Sequence, residues 1–136
     1  MKAYQILASI SIFALASCNK SQTILPVNGP GANVTRKVRF ELFTRENFAG
    51  NKENIQFTIH MGRAPGPLFD STLATMKIEE IPDSMHRIII EKTVPGNDTA
   101  TIEVGFLYAI ENVGNSWYLE PLYGTESFKV VRYAFR

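Results

Sequence analysis

The stretch Thr99–Ile110, TATIEVGFLYAI, decides the fold. Its apolar residues fall at every second position, so Ala100, Ile102, Val104, Phe106, Tyr108 and Ile110 share one face. A period of two is that of an extended strand with one side buried, because successive side chains point to opposite faces of a sheet.

Working outward, the same period recurs. KVRFELF, residues 37–43, sets Val38, Phe40 and Leu42 against Lys37, Arg39 and Glu41. NIQFTIHM, residues 54–61, sets Ile55, Phe57, Ile59 and Met61 against Asn54, Gln56, Thr58 and His60. HRIIIEKTV is β-branched enough to predict a strand without strict alternation, and LATMKIEEI, SWYLEPL and SFKVVRYAF are further strand candidates. In the last, the apolar phase slips between Val130 and Val131, which predicts a bulge or a strand crossing between layers. FAGNKEN, GRAPGP, IPDS, VPGND, ENVGN and LYGTE separate these runs with turn-forming residues. About seven short strands with no long helical period predict an all-β fold, an antiparallel sandwich of the immunoglobulin-like or transthyretin-like kind.

A chain of 136 residues has room for one such domain. Its first seventeen residues carry the parts of an export signal: Lys2 near the start, the apolar run ILASISIFAL, and small residues before Cys18. The apolar run is too short for a permanent membrane span. LASC, residues 15–18, resembles the lipobox of bacterial lipoproteins. That resemblance implies that Cys18, the single cysteine, becomes the acylated first residue of the mature protein. Several acyl chains on one residue would make attachment to a bilayer stable, as one chain would not. Residues 18–35, rich in Asn, Gly, Pro, Ser and Thr, read as a flexible tether, and 36–136 as the β-sandwich domain. The whole resembles the small β-sandwich lipoproteins of Bacteroidota. CNKSQT lacks the acidic residues that accompany surface export in that group, so the resemblance implies a lipid-anchored outer-membrane protein facing the periplasm.

Composition excludes several classes of function. Without residues 1–17 the chain holds 13 Lys and Arg against 13 Asp and Glu, so no nucleic-acid partner is implied. Two histidines and one acylated cysteine cannot furnish a tetrahedral zinc site, and no cofactor is expected. Asn97, Asp98 and Glu103 offer oxygens to calcium, but without EF-hand spacing they read as a solvated hairpin turn. No G-x-S-x-G or other catalytic signature occurs. His60 and His86 read as surface histidines, and the neighbours Glu79 and Glu80 would face opposite sides of a strand.

Three candidate ligand or modification sites remain. Trp117, Tyr118 and Tyr123 lie within seven residues, and flat aromatic faces at an exposed edge suit a sugar or peptide. The commoner place for a lone tryptophan is the sandwich core, and the sequence leaves both open. Arg63, in the Gly- and Pro-rich loop MGRAPGPLF, offers a donor fork to an anion. The three aspartates occur in DST, DSM and DTA, which resemble the O-glycosylation acceptor motif of the Bacteroidota envelope and would make Ser71, Ser84 and Thr99 acceptors. The expected function is that of a non-enzymatic envelope module binding a protein partner. A glycan-binding module centred on Trp117 is the alternative, and a hydrolase without a recognisable motif is a further one.

Overall fold

The computed structural model describes residues 35–63, 66–96 and 99–136. Cys18, the signal segment 1–17 and residues 18–34 lie outside the described residues, as do Ala64, Pro65, Asn97 and Asp98. The described part falls in one compact unit, Ala32–Arg136.

Among the described residues eight strands follow in order: β1 (Lys37–Thr44), β2 (Asn54–Arg63), β3 (Gly66–Thr72), β4 (Met76–Lys77), β5 (Ile88–Thr93), β6 (Ile102–Ile110), β7 (Gly114–Leu122) and β8 (Phe128–Phe135). They form two packed sheets: a three-stranded sheet β5–β1–β8, and a five-stranded sheet β3–β2–β6–β7 with β4 alongside β2. The chain is an all-β sandwich. Every pairing is antiparallel save one, because β1 and β8 run parallel from Lys37↔Phe128 to Thr44↔Phe135.

The alternating residues are the core. Val38, Phe40 and Leu42 of β1 face Ile55, Phe57, Ile59 and Met61 of β2 and Ile102, Val104 and Phe106 of β6, all of them buried. Phe106 meets Phe40 edge-on with centroids 5.7 Å apart, and Tyr133 stacks on Tyr118 at 4.8 Å. Such ring pairs add about 0.5–1.5 kcal/mol each beyond the area they bury. Gly105, alone within β6, is required by close approach: a Cβ there would lie 2.0 Å from the Tyr118 carbonyl oxygen.

Three local expectations fail. The phase slip at Val130 is no bulge, since β8 keeps an unbroken register with β1. Instead Val131, Tyr133 and Phe135 face the core, and Phe128 and Val130 lie on the outer face of the small sheet. LATMKIEEI yields only the two residues of β4 and then a 3-10 turn, Ile78–Glu80. The Glu80 carboxylate accepts the Lys77 N–H at 2.8 Å, which satisfies a turn where a strand would need a ladder partner. MGRAPGPLF is not a long loop: β2 and β3 are paired antiparallel up to Arg63↔Gly66, with a register shift at Met61/Gly62.

The polar face of β1 holds a buried carboxylate. Glu41 has 4% of its surface exposed, and its Oε2 accepts from Arg87 Nη1 and Arg132 Nε, each at 3.0 Å. Burial alone would raise its pKa, but the hydrogen bonds and charges of Arg132 and Arg87 outweigh that and hold it below the ordinary 4.5. Arg36 is also buried, its Nη1 donating to the carbonyls of Ala100 and Tyr123. It ties the start of the sandwich to two loops at that end.

Candidate functional site

The outer face of the five-stranded sheet follows from register. Thr72, Thr58, Leu107 and Trp117 stand in one row across β3, β2, β6 and β7. Gln56, Ala109 and Asn115 form the neighbouring row. Together these rows shape a groove of about 320 Å³ beside Trp117, lined by amide and hydroxyl groups, Leu107 and Ala109, with no charged side chain. Gln56 Nε2 donates to Thr75 Oγ1 at 3.1 Å, and the Thr58 and Thr72 hydroxyls lie 3.1 Å apart. These bonds fix the polar side chains on a rigid sheet. Trp117 is 69% exposed, so it is a surface residue and not the centre of the core.

The three aromatic candidates do not converge. Tyr118 follows Trp117 on a strand and therefore faces inward, stacked on Tyr133, with its hydroxyl donating to Glu120 Oε1 at 2.6 Å. That bond to a carboxylate, together with burial, pushes the Tyr118 pKa up to about 12. Tyr123 lies beyond β7 in a turn closed by Glu126, whose carboxylate accepts the Tyr123 N–H. Arg63 is exposed at the hairpin end of β2, five residues along the strand from Thr58 of the Trp117 row.

Of the two histidines, His60 differs from expectation and His86 does not. His60 is not a solvated surface group: its side chain is 15% exposed, and its Nδ1 lies 2.7 Å from Asp70 Oδ1 across the β2–β3 pair. A Cβ on Gly62 would lie 2.9 Å from both Nε2 and Cε1 of His60, so that edge of the ring rests over the glycine. A base needs a nucleophile or substrate proton within reach at its free nitrogen. His86 is exposed beside Asp83, whose Oδ1 accepts from the Met85 and His86 N–H groups and contacts His86 Nδ1 at 2.9 Å. The His86 and Met85 N–H groups are the main reason the Asp83 pKa lies below its usual value.

Asp83 thus closes a turn that presents Ser84 to solvent, and Thr99 is also exposed. Ser71 is half-buried in β3 opposite Ile59. DST is therefore strand, not turn. Among the described residues, no cluster of three or more His, Cys, Asp or Glu offers a metal site. Glu103 lies on β6 opposite Pro121 and Gly62. No helix among the described residues is long and apolar enough to cross a membrane.

The His60–Asp70 contact and the Trp117 row depend on strand register, which no single segment carries. The separation of Trp117 from Tyr118 was signalled in the sequence by their being neighbours on a strand. No protein family, curated protein or solved structure matches this chain.

Proposed function

We propose that this chain is a non-enzymatic binding module of the bacterial cell envelope, held at the outer membrane facing the periplasm through acylated Cys18, and that the Trp117 groove takes a neutral glycan. The observation that carries this reading is the single tryptophan, 69% exposed over an uncharged groove of amides and hydroxyls. A sugar ring has an apolar C–H face that stacks on indole and a rim of hydroxyls that exchange hydrogen bonds with Gln56, Thr58 and Asn115. The flat sheet face suits an extended polysaccharide.

A protein partner is the second reading. It is favoured by β7, a nine-residue edge strand whose register with β6 is unbroken from Ile102↔Leu122 to Ile110↔Gly114. An edge of that length offers a row of backbone groups to an added strand.

One experiment separates them. Because Trp117 is the only tryptophan, its fluorescence reports on the groove without a label. Titration of the full chain with neutral envelope oligosaccharides is expected to shift its emission to the blue, and Trp117→Ala to abolish binding measured by calorimetry. If no oligosaccharide moves the emission, while a peptide is captured by the parent and by Trp117→Ala alike, the glycan reading falls and the edge reading stands.

A further inference from the structure

The outer face of the three-stranded sheet follows from its register. Thr93, Lys37 and Phe128 form one row across β5, β1 and β8, Glu91, Arg39 and Val130 the next, and Ile89, Glu41 and Arg132 a third. Beyond them Phe43 lies beneath the guanidiniums of Arg45 and Arg87, 5.7 and 5.8 Å from its ring centroid. Lys37, Arg39, Arg45, Arg87 and Arg132 thus stand against Glu41, Glu91 and Glu46, which follows Arg45 in the chain: five against three, a surplus of two positive charges. At the ends of the sheet Arg36 is matched in number by Glu126 and the Arg136 guanidinium by the chain's terminal carboxylate, and Asp83 is left beside His86. The outer face of the five-stranded sheet has the opposite sign, with Lys77 against Asp70, Glu103 and Glu111.

The basic face also carries apolar groups in the open. Ile89 is 53% exposed and Phe128 48%, one on each edge strand. The cations lie low among them: Arg39 Nε donates to Glu91 Oε1 at 2.7 Å while its Cζ stands 5.9 Å from the Phe128 ring, and Arg87 and Arg132 share the Glu41 carboxylate. Guanidiniums set level with exposed apolar side chains suit the boundary of an anionic bilayer, where phosphates meet hydrocarbon.

We propose that this face docks on an anionic phospholipid surface, that of the leaflet holding the chain's own acyl groups. The inference rests on the acyl anchor read at Cys18. Read from composition as a tether, the seventeen residues 19–35 would span about 20–25 Å, and the chain enters the basic face itself at Lys37. Two surplus charges hold a protein to a membrane only weakly from free solution, but a tether of that length supplies the bilayer at an effective concentration of about millimolar. An acidic protein would meet the same charges without that advantage. Trp117 lies on the outer face of the other sheet, so docking turns its groove away from the bilayer, open to a ligand.

The test uses the acylated full chain, purified from membranes and reconstituted into vesicles of phosphatidylcholine alone or mixed with phosphatidylglycerol. With the Cys18 sulfur acylated, an introduced cysteine takes the label: Thr93→Cys on the basic face or Asn115→Cys on the groove face, both exposed, each carrying a polarity-sensitive fluorophore. The Thr93→Cys label is expected to shift to the blue with phosphatidylglycerol, to stay unshifted with phosphatidylcholine and to be released by high salt, while the Asn115→Cys label responds to neither. Lys37→Glu, at an exposed position, removes the surplus and should lower the ratio of docked to free domain about thirtyfold, about fivefold for each charge, with the far-ultraviolet circular dichroism of the parent. A shift with both lipids alike, an equal shift at Asn115→Cys, or a folded Lys37→Glu variant that docks like the parent would overturn the proposal. A Thr93→Cys label silent on vesicles but shifted by polyglutamate would give the face to an acidic protein instead. A chain that floats with both kinds of vesicle while that label stays silent keeps the anchor and loses the docking; a chain that floats with neither loses both.

Discussion

Replacing Glu41 by Gln keeps the shape of the side chain and removes its charge. In the parent, one carboxylate oxygen receives Arg87 Nη1 and Arg132 Nε, each at 3.0 Å. A shielded hydrogen bond to a charged group contributes about 1.5–3 kcal/mol. The guanidiniums, however, have 37% and 64% of their side-chain surface exposed, so solvent screens them and each contact falls to about 0.5–1 kcal/mol. The expected loss is about 1–2 kcal/mol, or roughly 5–15 °C in Tm for a domain of this size. The pH dependence is the sharper part. Glu41 has a folded pKa below its ordinary value, so its contribution is complete above pH 4.5 and disappears as pH falls through the folded pKa. The gap between parent and Glu41→Gln should therefore be full at pH 7 and close on acidification, while other carboxylates affect both proteins alike. Urea unfolding followed by far-ultraviolet circular dichroism, repeated from neutral to acid pH, measures the gap directly. Equal stability at pH 7, or a gap that persists unchanged well below pH 4.5, would refute the account.

Gly105→Ala adds a methyl at 2.0 Å from the Tyr118 carbonyl oxygen, so β6 and β7 must separate; a loss of about 2–4 kcal/mol in chemical denaturation is expected, and a neutral effect would contradict the close approach. Alkaline titration by ultraviolet absorbance should find Tyr118 protonated until about pH 12 because of its bond to Glu120, with Tyr133 also raised by burial and by Tyr108. Both favour the folded state below pH 10 and cease to do so as pH rises through their folded values, so Tyr118→Phe should remove one late-ionising group. Cys18→Ser is expected to leave the protein unlipidated and outside the membrane fraction with the same melting temperature; continued membrane attachment would argue against the acyl anchor.

Much of the sandwich was legible because β2, β6 and the first half of β1 each bury one face, and a two-residue period then writes itself into the sequence. β3 was hidden. Gly66, Pro67 and Asp70 are turn formers by composition, yet Asp70 is drawn into the ladder by His60 across the hairpin, a contact that only pairing creates. The slip at Val130 misled for a related reason: β8 carries apolar residues on both faces, and Phe128, 48% exposed, shelters under Arg39, whose Cζ is 5.9 Å from its ring. The candidate groove was half legible. Trp117 was visible as an aromatic anchor, while Gln56, Thr58 and Leu107 reach it only through the register of β2, β6 and β7. The Glu41–Arg132 bond joins residues 91 positions apart, because the first and last strands are neighbours.

That parallel pairing also decides how the domain carries force. The chain enters the sandwich at the Lys37 end of β1 and β8 finishes at the opposite end, at Phe135, so a pull between those two points runs along the β1–β8 ladder. All eight residue pairs then bear the load together in shear, and none can be peeled open ahead of the rest. An antiparallel partner in the same place would have brought its end back beside the chain's own start, and the same pull would have unzipped it one bond at a time.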